Sequence, residues 1–277
     1  MNYGTTLALV QEKKPHVQCI TNFVTVNDCA NIILACGGSP AMTMDIREVR
    51  EGVEGMQALV LNMGAIESVG AMIVAGEHAN ELGIPVCLDP VACGSTALRR
   101  DVSAQLLRHI HFTAIRGNAS EIRFLMTGEK SGAGVDVSAA DTITDANRAA
   151  FAREAAALAA RLKTVIIVSG EKDIVTDGQK IFLIANGCAT MSRITGSGCM
   201  CTSMLGAFTG ADRTDPLRAG ISNMAVMGIA GDIAEEKRLL KGTGNATFRT
   251  DLIDAVFNMT PEMVDARIKV EEMPVRL

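Results

Sequence analysis

The chain has 277 residues and a formal net charge of −5 at pH 7. Hydrophobic residues make up 48% of the sequence and aromatic residues only 3%, with no tryptophan, so the core must be built from aliphatic side chains. No basic block or stripe is present, which argues against nucleic-acid binding, and no apolar run approaches the ~18 residues of a membrane-spanning helix.

The eight cysteines indicate the cellular compartment. They are scattered, form no C-x-x-C pair, and lie mostly within apolar runs. The N-terminus lacks the basic segment followed by an apolar one that a secretory signal would have. This pattern favours free thiols in a reducing compartment over a disulfide framework, and we expect a cytoplasmic protein. His109 and His111 would share one side of a strand, but no third ligand candidate accompanies them, so a packed or solvated pair is the better interpretation.

Short apolar runs alternate with segments of helical periodicity along the chain. The predicted strands are residues 17–20, 58–62, 86–89, 112–115 and 165–168, and the predicted helices are residues 24–35, 66–82, 97–110, 145–162, 197–208 and 216–236. Two further runs, 174–176 and 181–184, flank Asp177-Gly178 and predict an antiparallel hairpin at the sheet edge. The alternation indicates an α/β fold, a mostly parallel central sheet with helices on both faces. Because no linker or repeat interrupts it, we expect residues 1–277 to form a single domain.

Polar residues directly follow several predicted strands. Asn22, Asp89 and Ser169 are examples, and the segments 62–64 and 116–121 follow two further strands. Turn residues come after strands in any protein, so each of these positions alone is weak evidence. Ligands of open α/β sheets, however, bind outside the carboxyl ends of the strands. The sequence therefore predicts a shared site on one rim of the sheet.

The segment 195–199, Thr-Gly-Ser-Gly-Cys, runs directly into an apolar helix. Its glycines allow a sharp turn and a close approach of backbone to ligand, and the free N–H groups of a helix N-terminus favour phosphate or a developing oxyanion. Cys199 would lie against that anion, where the helix N-terminus is expected to lower its pKa from ~8.5. The alternative is an ordinary turn at Gly196 followed by a small buried cysteine.

Arg116, Asn118 and Glu121 form a second constellation. The asparagine can cap a helix whose first turn contains the glutamate, which is a purely structural interpretation. The same residues suit phosphate and Mg²⁺ binding, since Mg²⁺ keeps several waters and needs few carboxylates. Asp89, at the end of an apolar strand, is the second carboxylate candidate, with a turn-initiating aspartate before Pro90 as its alternative.

Together these motifs resemble the hydroxyethylthiazole kinase family, which belongs to the ribokinase-like superfamily. The resemblance runs from about residue 15 to about residue 245, and its motifs are in the family's order: 17–22 (VQCITN), 38–42 (GSPAM), 88–91 (LDPV), 114–121 (AIRGNASE), 134–136 (GVD), 169–171 (SGE) and 195–199 (TGSGC). It implies a ribokinase-like fold and an ATP- and Mg²⁺-dependent phosphorylation of the primary alcohol of hydroxyethylthiazole, in thiamine salvage.

The resemblance also implies how the acceptor is bound. Met42 and Gly196 match the family's thiazole-contacting positions. Similar proteins are homotrimers with the thiazole site between subunits, which would make Asn22 and Met42 interface residues as well as ligand contacts. Most ribokinase-like enzymes have an aspartate at the position of Cys199, so the thiol would take the proton of the alcohol, as a modest contributor to the rate.

On the nucleotide side, Arg116 and Ser169 match the family's phosphate contacts, with Asn118 beside them as a further ATP-binding candidate. Asp89 and Glu121 match the acidic residues around the metal. Two departures from the family pattern are small. At position 169 the chain has serine where the family often has threonine, and the hydroxyl group is kept. The family often has glycine where this chain has Ala92, and we expect a slightly stiffer loop there.

Two other functions stay open at this point. One is a ribokinase-like kinase for another small alcohol, such as hydroxymethylpyrimidine or a sugar, although sugars need more hydrogen-bond partners than Asn22 and Met42 provide. The other is a non-catalytic thiazole or nucleotide sensor, which the full set of phosphate, metal and base candidates disfavours.

Overall fold

The structure is a computed structural model and describes residues 2–129 and 142–275. The motif at residues 134–136 lies outside this part of the chain. Among the described residues, no helix combines the length and the apolarity needed to cross a membrane.

The described residues form a nine-stranded sheet in the spatial order β2-β1-β3-β4-β5-β6-β7-β8-β9. Strands β1 to β6 pair in parallel, and the pairs from β6 to β9 are antiparallel. The strands are β1 (His16–Ile20), β2 (Ser39–Ala41), β3 (Ala58–Asn62), β4 (Val86–Asp89), β5 (Ala114–Asn118), β6 (Val165–Ser169), β7 (Asp173–Thr176), β8 (Ile181–Ile184) and β9 (Val270–Met273).

Helices cover both faces of this sheet. They are α1 (Gly4–Lys13), α2 (Val26–Cys36), α3 (Val49–Gly52), α4 (Val69–Glu81), α5 (Ala97–His109), α6 (Ala119–Thr127), α7 (Arg148–Leu162), α8 (Ser197–Ala211), α9 (Pro216–Lys241), α10 (Asn245–Phe257) and α11 (Pro261–Arg267). Short 3₁₀ turns lie at Ile66–Ser68 and Ala189–Arg193.

Alternating side chains of the strands build two hydrophobic cores. In β3, Ala58 and Val60 face the core formed with α1, α2 and α8 to α11, whereas Leu59 and Leu61 face the core formed with α3 to α7. Successive side chains of a strand point to opposite faces, so a continuously apolar strand is buried on both sides. The predicted α/β architecture is therefore confirmed, and its antiparallel edge includes one more strand, since β9 pairs with β8.

Helix α8 lies directly on the sheet. A Cβ atom at Gly206 would be 2.5 Å from Cγ2 of Val60 and 2.8 Å from Cγ1 of Val17, and one at Gly210 would be 3.1 Å from the carbonyl oxygen of Gln57. The backbone of α8 therefore packs directly on strand side chains at Gly206 and on the backbone just before β3 at Gly210. This contact sets the height of the α8 N-terminus above the carboxyl ends of β3 and β4.

Candidate active site

A cavity of about 950 Å³ opens at the carboxyl ends of the parallel strands, beside the N-terminus of α8. Of the predicted site residues, all but Met42 line it: Asn22, Asp89, Arg116, Asn118, Glu121, Ser169, Gly196 and Cys199. Met42 follows β2, the outermost parallel strand, and packs half-buried against the core on the α2 and α8 side. The chain therefore brings its phosphate, metal and proton-acceptor candidates together and leaves Met42 apart from them.

Two glycines shape the turn that begins α8. Gly196 has φ of 82°, in the left-handed region, and a Cβ there would lie 2.6 Å from Cγ2 of Thr25. A Cβ at Gly198 would lie 2.7 Å from Nη1 of Arg116. The first glycine is thus required by its backbone conformation, and the second allows the guanidinium to pack against the helix N-terminus.

Cys199 lies inside this site as a neutral thiol. Its Sγ accepts hydrogen bonds from Nδ2 of Asn22 at 3.5 Å and from Nδ2 of Asn62 at 3.3 Å. Burial, followed by the charge of Asp89, raises the pKa of Cys199 to about 11. The expectation of a lowered pKa is therefore wrong, because burial and a neighbouring carboxylate outweigh the helix N-terminus.

Asp89 and Glu121 are buried carboxylates. Oδ2 of Asp89 accepts hydrogen bonds from Nδ2 of Asn62 at 3.1 Å and from Oγ1 of Thr202 at 3.0 Å. Burial raises the pKa of Asp89, although the charge of Arg116 and the hydrogen bond from Thr202 act in the opposite direction. Burial and the charge of Asp89 raise the pKa of Glu121 to about 7.

The structural interpretation of Glu121 is also correct. Its backbone N–H donates to Oδ1 of Asn118 at 3.0 Å, and its Oε2 accepts from the backbone N–H of Asn118 at 2.7 Å, which is a capping box. Its Oε1 accepts from the backbone N–H of Ala92 at 2.9 Å. Glu121 therefore holds a helix start and the loop after β4, and it faces the cavity as well.

Ala92 takes a conformation that suits glycine. Its φ is 54°, in the left-handed region, where a side chain costs roughly 1–2 kcal/mol. The loop after Asp89 is thus strained by the side chain at Ala92.

Arg116 is the central cation of the cavity. Burial alone would lower its pKa, but the facing Cys201, Asp89, Glu121 and Asp173 outweigh burial and raise the pKa. Its Nε is buried and has no hydrogen-bond partner among the described residues. Arg116 lines the cavity and its Nη1 lies beside Gly198 at the start of α8, so the guanidinium is placed to bind an anion there.

The carboxylates around Arg116 also suit a cation. Asp89, Glu121 and Asp173 share this one guanidinium, and burial raises the pKa of Asp173 to about 7. Mg²⁺ would favour the ionised form of such carboxylates. No group of three or more His, Cys, Asp or Glu residues that could hold a metal occurs in the described ranges. Carboxylates are ligands that suit Mg²⁺, which needs only one or two of them beside waters and substrate phosphates.

The sequence placed Asn62 on the rim of the shared site without assigning it a role, and it did not indicate two other polar residues, Thr202 and Asp173. Asn62 ends β3 beside Asp89 at the end of β4, as expected for residues of that rim. Thr202 lies one helical turn after Gly198 on α8. This helical spacing from the glycine turn is the sequence signal that would have selected it. Asp173 accepts a hydrogen bond from the N–H of Gly170 at 2.9 Å and so closes the turn after Ser169.

Comparison with known proteins decides the family. A model of the hydroxyethylthiazole kinase family matches residues 7–262. The chain belongs to the hydroxyethylthiazole kinase family. It is 42% identical to the hydroxyethylthiazole kinase of Clostridium tetani over 270 residues, which are 97% of this chain and 96% of that protein. The solved structure of the hydroxyethylthiazole kinase protein from Pyrococcus horikoshii covers 98% of both chains, with a TM-score of 0.85 and 31% identity.

More distant structures share the fold alone. The pyridoxal kinase of Staphylococcus aureus, solved in complex with AMP-PCP and pyridoxal, has a TM-score of 0.60 at 14% identity and covers 94% of this chain and 98% of its own. The resemblance found in the sequence motifs is therefore confirmed for family and ribokinase-like fold. As a member of the hydroxyethylthiazole kinase family the protein is a phosphotransferase, with ATP and a small alcohol as substrates.

Proposed function

We propose that the protein transfers the γ-phosphoryl group of ATP to the primary alcohol of hydroxyethylthiazole, in thiamine salvage. One observation carries this proposal. A neutral acceptor side, with Asn22 and Cys199, and a charged phosphate side, with Arg116 and the α8 turn, line the same cavity of a hydroxyethylthiazole kinase family member. Cys199 directly follows Gly198, so the turn that packs on Arg116 also carries the thiol of the acceptor side.

On the phosphate side, the residues act mainly by position and charge. We propose that the N–H groups of the turn from Gly196 to Cys199 and the guanidinium of Arg116 stabilise charge on the transferred group, while Ser169 and Asn118 contact the nucleotide phosphates. Phosphoryl transfer passes through a loose transition state, so positioning and charge stabilisation supply most of the rate.

Asp89 and Glu121 are the residues that would hold Mg²⁺. A bound Mg²⁺ would neutralise charge on the phosphates. Both carboxylates already accept hydrogen bonds from fixed partners, which holds them in place. Separate replacement of Asp89 and Glu121 by alanine is expected to shift the Mg²⁺ concentration needed for half-maximal rate. An unchanged Mg²⁺ dependence in both variants would remove this role.

On the acceptor side, we propose that Asn22 and Gly196 contact the thiazole and that Cys199 lies beside its hydroxyl group. Because its pKa is raised to about 11, the thiol keeps its proton at neutral pH. A thiol that keeps its proton cannot take one from the alcohol, so we propose that Cys199 contributes by its position beside the hydroxyl group. The alcohol loses its proton late, and the step therefore does not depend on a strong base.

We propose a homotrimer in which Met42 of one copy completes the thiazole pocket of the next. Met42 lies outside the cavity of its own chain, and the cavity rim carries two exposed apolar side chains, Phe23 at 81% and Val24 at 59% exposure. We also propose that residues 1–277 form one domain that works in the cytoplasm. All eight cysteines are free thiols, which suits a reducing compartment.

A coupled assay of ADP release tests the reaction. With hydroxyethylthiazole, ATP and Mg²⁺ we expect ADP release, and we expect almost none when either the thiazole or Mg²⁺ is omitted. A panel with hydroxymethylpyrimidine and small sugars identifies a different acceptor if one of them supports faster release. No ADP release with any alcohol would contradict the kinase assignment and favour a sensor.

A further inference from the structure

The amide of Asn62 lies behind the cavity and has a full set of hydrogen-bond partners. The residue is 1% exposed. Its Oδ1 accepts from the N–H of Gly64 at 2.8 Å and from Nδ2 of Asn22 at 3.3 Å. Its Nδ2 donates to Oδ2 of Asp89 at 3.1 Å and to Sγ of Cys199 at 3.3 Å. These four bonds use both donors and both acceptor lone pairs of the amide.

The neighbours of Asn62 fix the orientation of this amide. The backbone N–H of Gly64 can only donate, so the atom that faces it is the oxygen, and the nitrogen then faces Asp89. Space is equally restricted, because a Cβ at Gly64 would be 2.6 Å from Oδ1 of Asn62 and 2.9 Å from Nδ2 of Asn22. Aspartate at position 62 would lose both donors, and alanine would leave buried partners without hydrogen bonds.

The partners of Asn62 belong to different parts of the proposed reaction. Asn22 and Cys199 lie on the acceptor side, whereas Asp89 lies on the metal side. We propose that Asn62 is a positioning residue that holds the acceptor-side groups in register with Asp89, and so sets the distance between the alcohol and the phosphoryl group. This inference rests on the proposed function.

The fold does not need the Asn62 side chain for strand pairing. The strands β3 and β4 are already aligned by their backbones, since Asn62 pairs with Asp89 and the N–H of Met63 donates to the carbonyl oxygen of Asp89 at 2.9 Å. The adjacent Leu61 and Met63 are fully buried. The amide therefore connects side chains of the site rather than joining the strands.

The test compares Asn62→Ala and Asn62→Asp with the wild type and with Asn80→Ala. Asn80 also exchanges hydrogen bonds through both ends of its amide, with the backbone of His111, but lies outside the cavity. A displacement of reacting groups of about 1 Å costs up to ~100-fold in rate. We expect kcat to fall by about 10- to 100-fold in both Asn62 variants, with KM for ATP changed by no more than about 2-fold, and kcat to be unchanged in Asn80→Ala.

A double-mutant cycle with Cys199→Ala separates positioning from a general loss of stability. If Asn62 acts through Cys199 and its neighbours, the double variant Asn62→Ala/Cys199→Ala is expected to lose less than the product of the two single losses. Unchanged kcat, or equal losses in kcat and in ATP binding with strictly multiplicative effects, would overturn the inference. If Asn62→Ala does not fold, the isosteric Asn62→Asp, which keeps both acceptor bonds, decides by the same measurements. Wild-type protein without thiazole-dependent ADP release would instead refute the proposed function.

Discussion

Replacing Gly198 by alanine tests whether Arg116 acts on the transferred phosphoryl group. The introduced Cβ would lie 2.7 Å from Nη1, whereas ordinary contacts begin at 3.4 Å, so the guanidinium must move by the difference, about 0.7 Å. Because Nη1 is the far end of a long side chain, the helix keeps its place and the arginine gives way. A shift of this size costs up to ~100-fold in kcat/KM, or about 2.7 kcal/mol of transition-state stabilisation.

Steady-state kinetics with urea unfolding provides the assay. Alanine is the better helix former, so we expect the free energy of unfolding to be equal or higher in Gly198→Ala while kcat/KM falls. Gly70→Ala is the matched control: Gly70 is also the second residue of its helix, α4, and a Cβ there would meet only the tip of the exposed Ile46 side chain. A Gly198→Ala enzyme with wild-type kcat/KM would refute the role of this contact.

Four further predictions concern stability, pH and the turn. Ala92→Gly is expected to raise the free energy of unfolding by about 0.5–1 kcal/mol in urea titrations, since it removes a left-handed alanine, and equal stability would argue against strain. Gly196→Val should nearly abolish activity, because φ is 82° and the Cβ would lie 2.6 Å from Thr25; a fully active variant would contradict this. Cys199→Asp should keep or raise kcat, as the two amide N–H groups that face the thiol also fit a carboxylate, and a folded, thiazole-binding but inactive variant would show that a base at this position does not take the proton of the alcohol. Because the pKa of Asp173 rises from 3.8 to about 7 on folding, its contribution to wild-type stability is fully present below about pH 4 and is lost as the pH rises through about 7. Asp173→Asn lacks this loss, so the variant should gain stability relative to wild type between about pH 4 and pH 8, and a constant difference would contradict the raised pKa.

Local sequence patterns predicted the strands that are apolar on both faces. They failed for strands whose ends or existence depend on pairing with a neighbouring strand. The predicted strand at 112–115 begins at Ala114 and continues to Asn118, because Arg116 pairs with Ile167 of β6 although it is charged. Strand β9 contains two glutamates and carries no strand pattern of its own. It exists because β8 offers an unpaired edge.

The positions of the site residues on the rim of the sheet could be predicted from the sequence. Their pKa values and hydrogen bonds could not. Asn22, Asp89 and Ser169 follow strands in the sequence, and strands that run in parallel bring such residues to one rim. The pKa of Cys199 depends on burial and on Asp89, which lies 110 positions earlier in the chain, so no local pattern could give its direction. The hydrogen bonds of Asn62 likewise depend on distances between elements that the sequence does not contain.

The contact of α8 with the sheet has a consequence for how variants of this protein should be interpreted. Gly206 and Gly210 are two and three helical turns away from Cys199, at the far end of a helix whose N-terminus carries the anion turn. A methyl group at either position would push the helix off β1 or β3 and carry the turn with it, since the helix moves as a rigid body. In a mutational scan these two positions would therefore group with the catalytic residues by their effect on turnover, although neither lines the cavity nor carries a functional group.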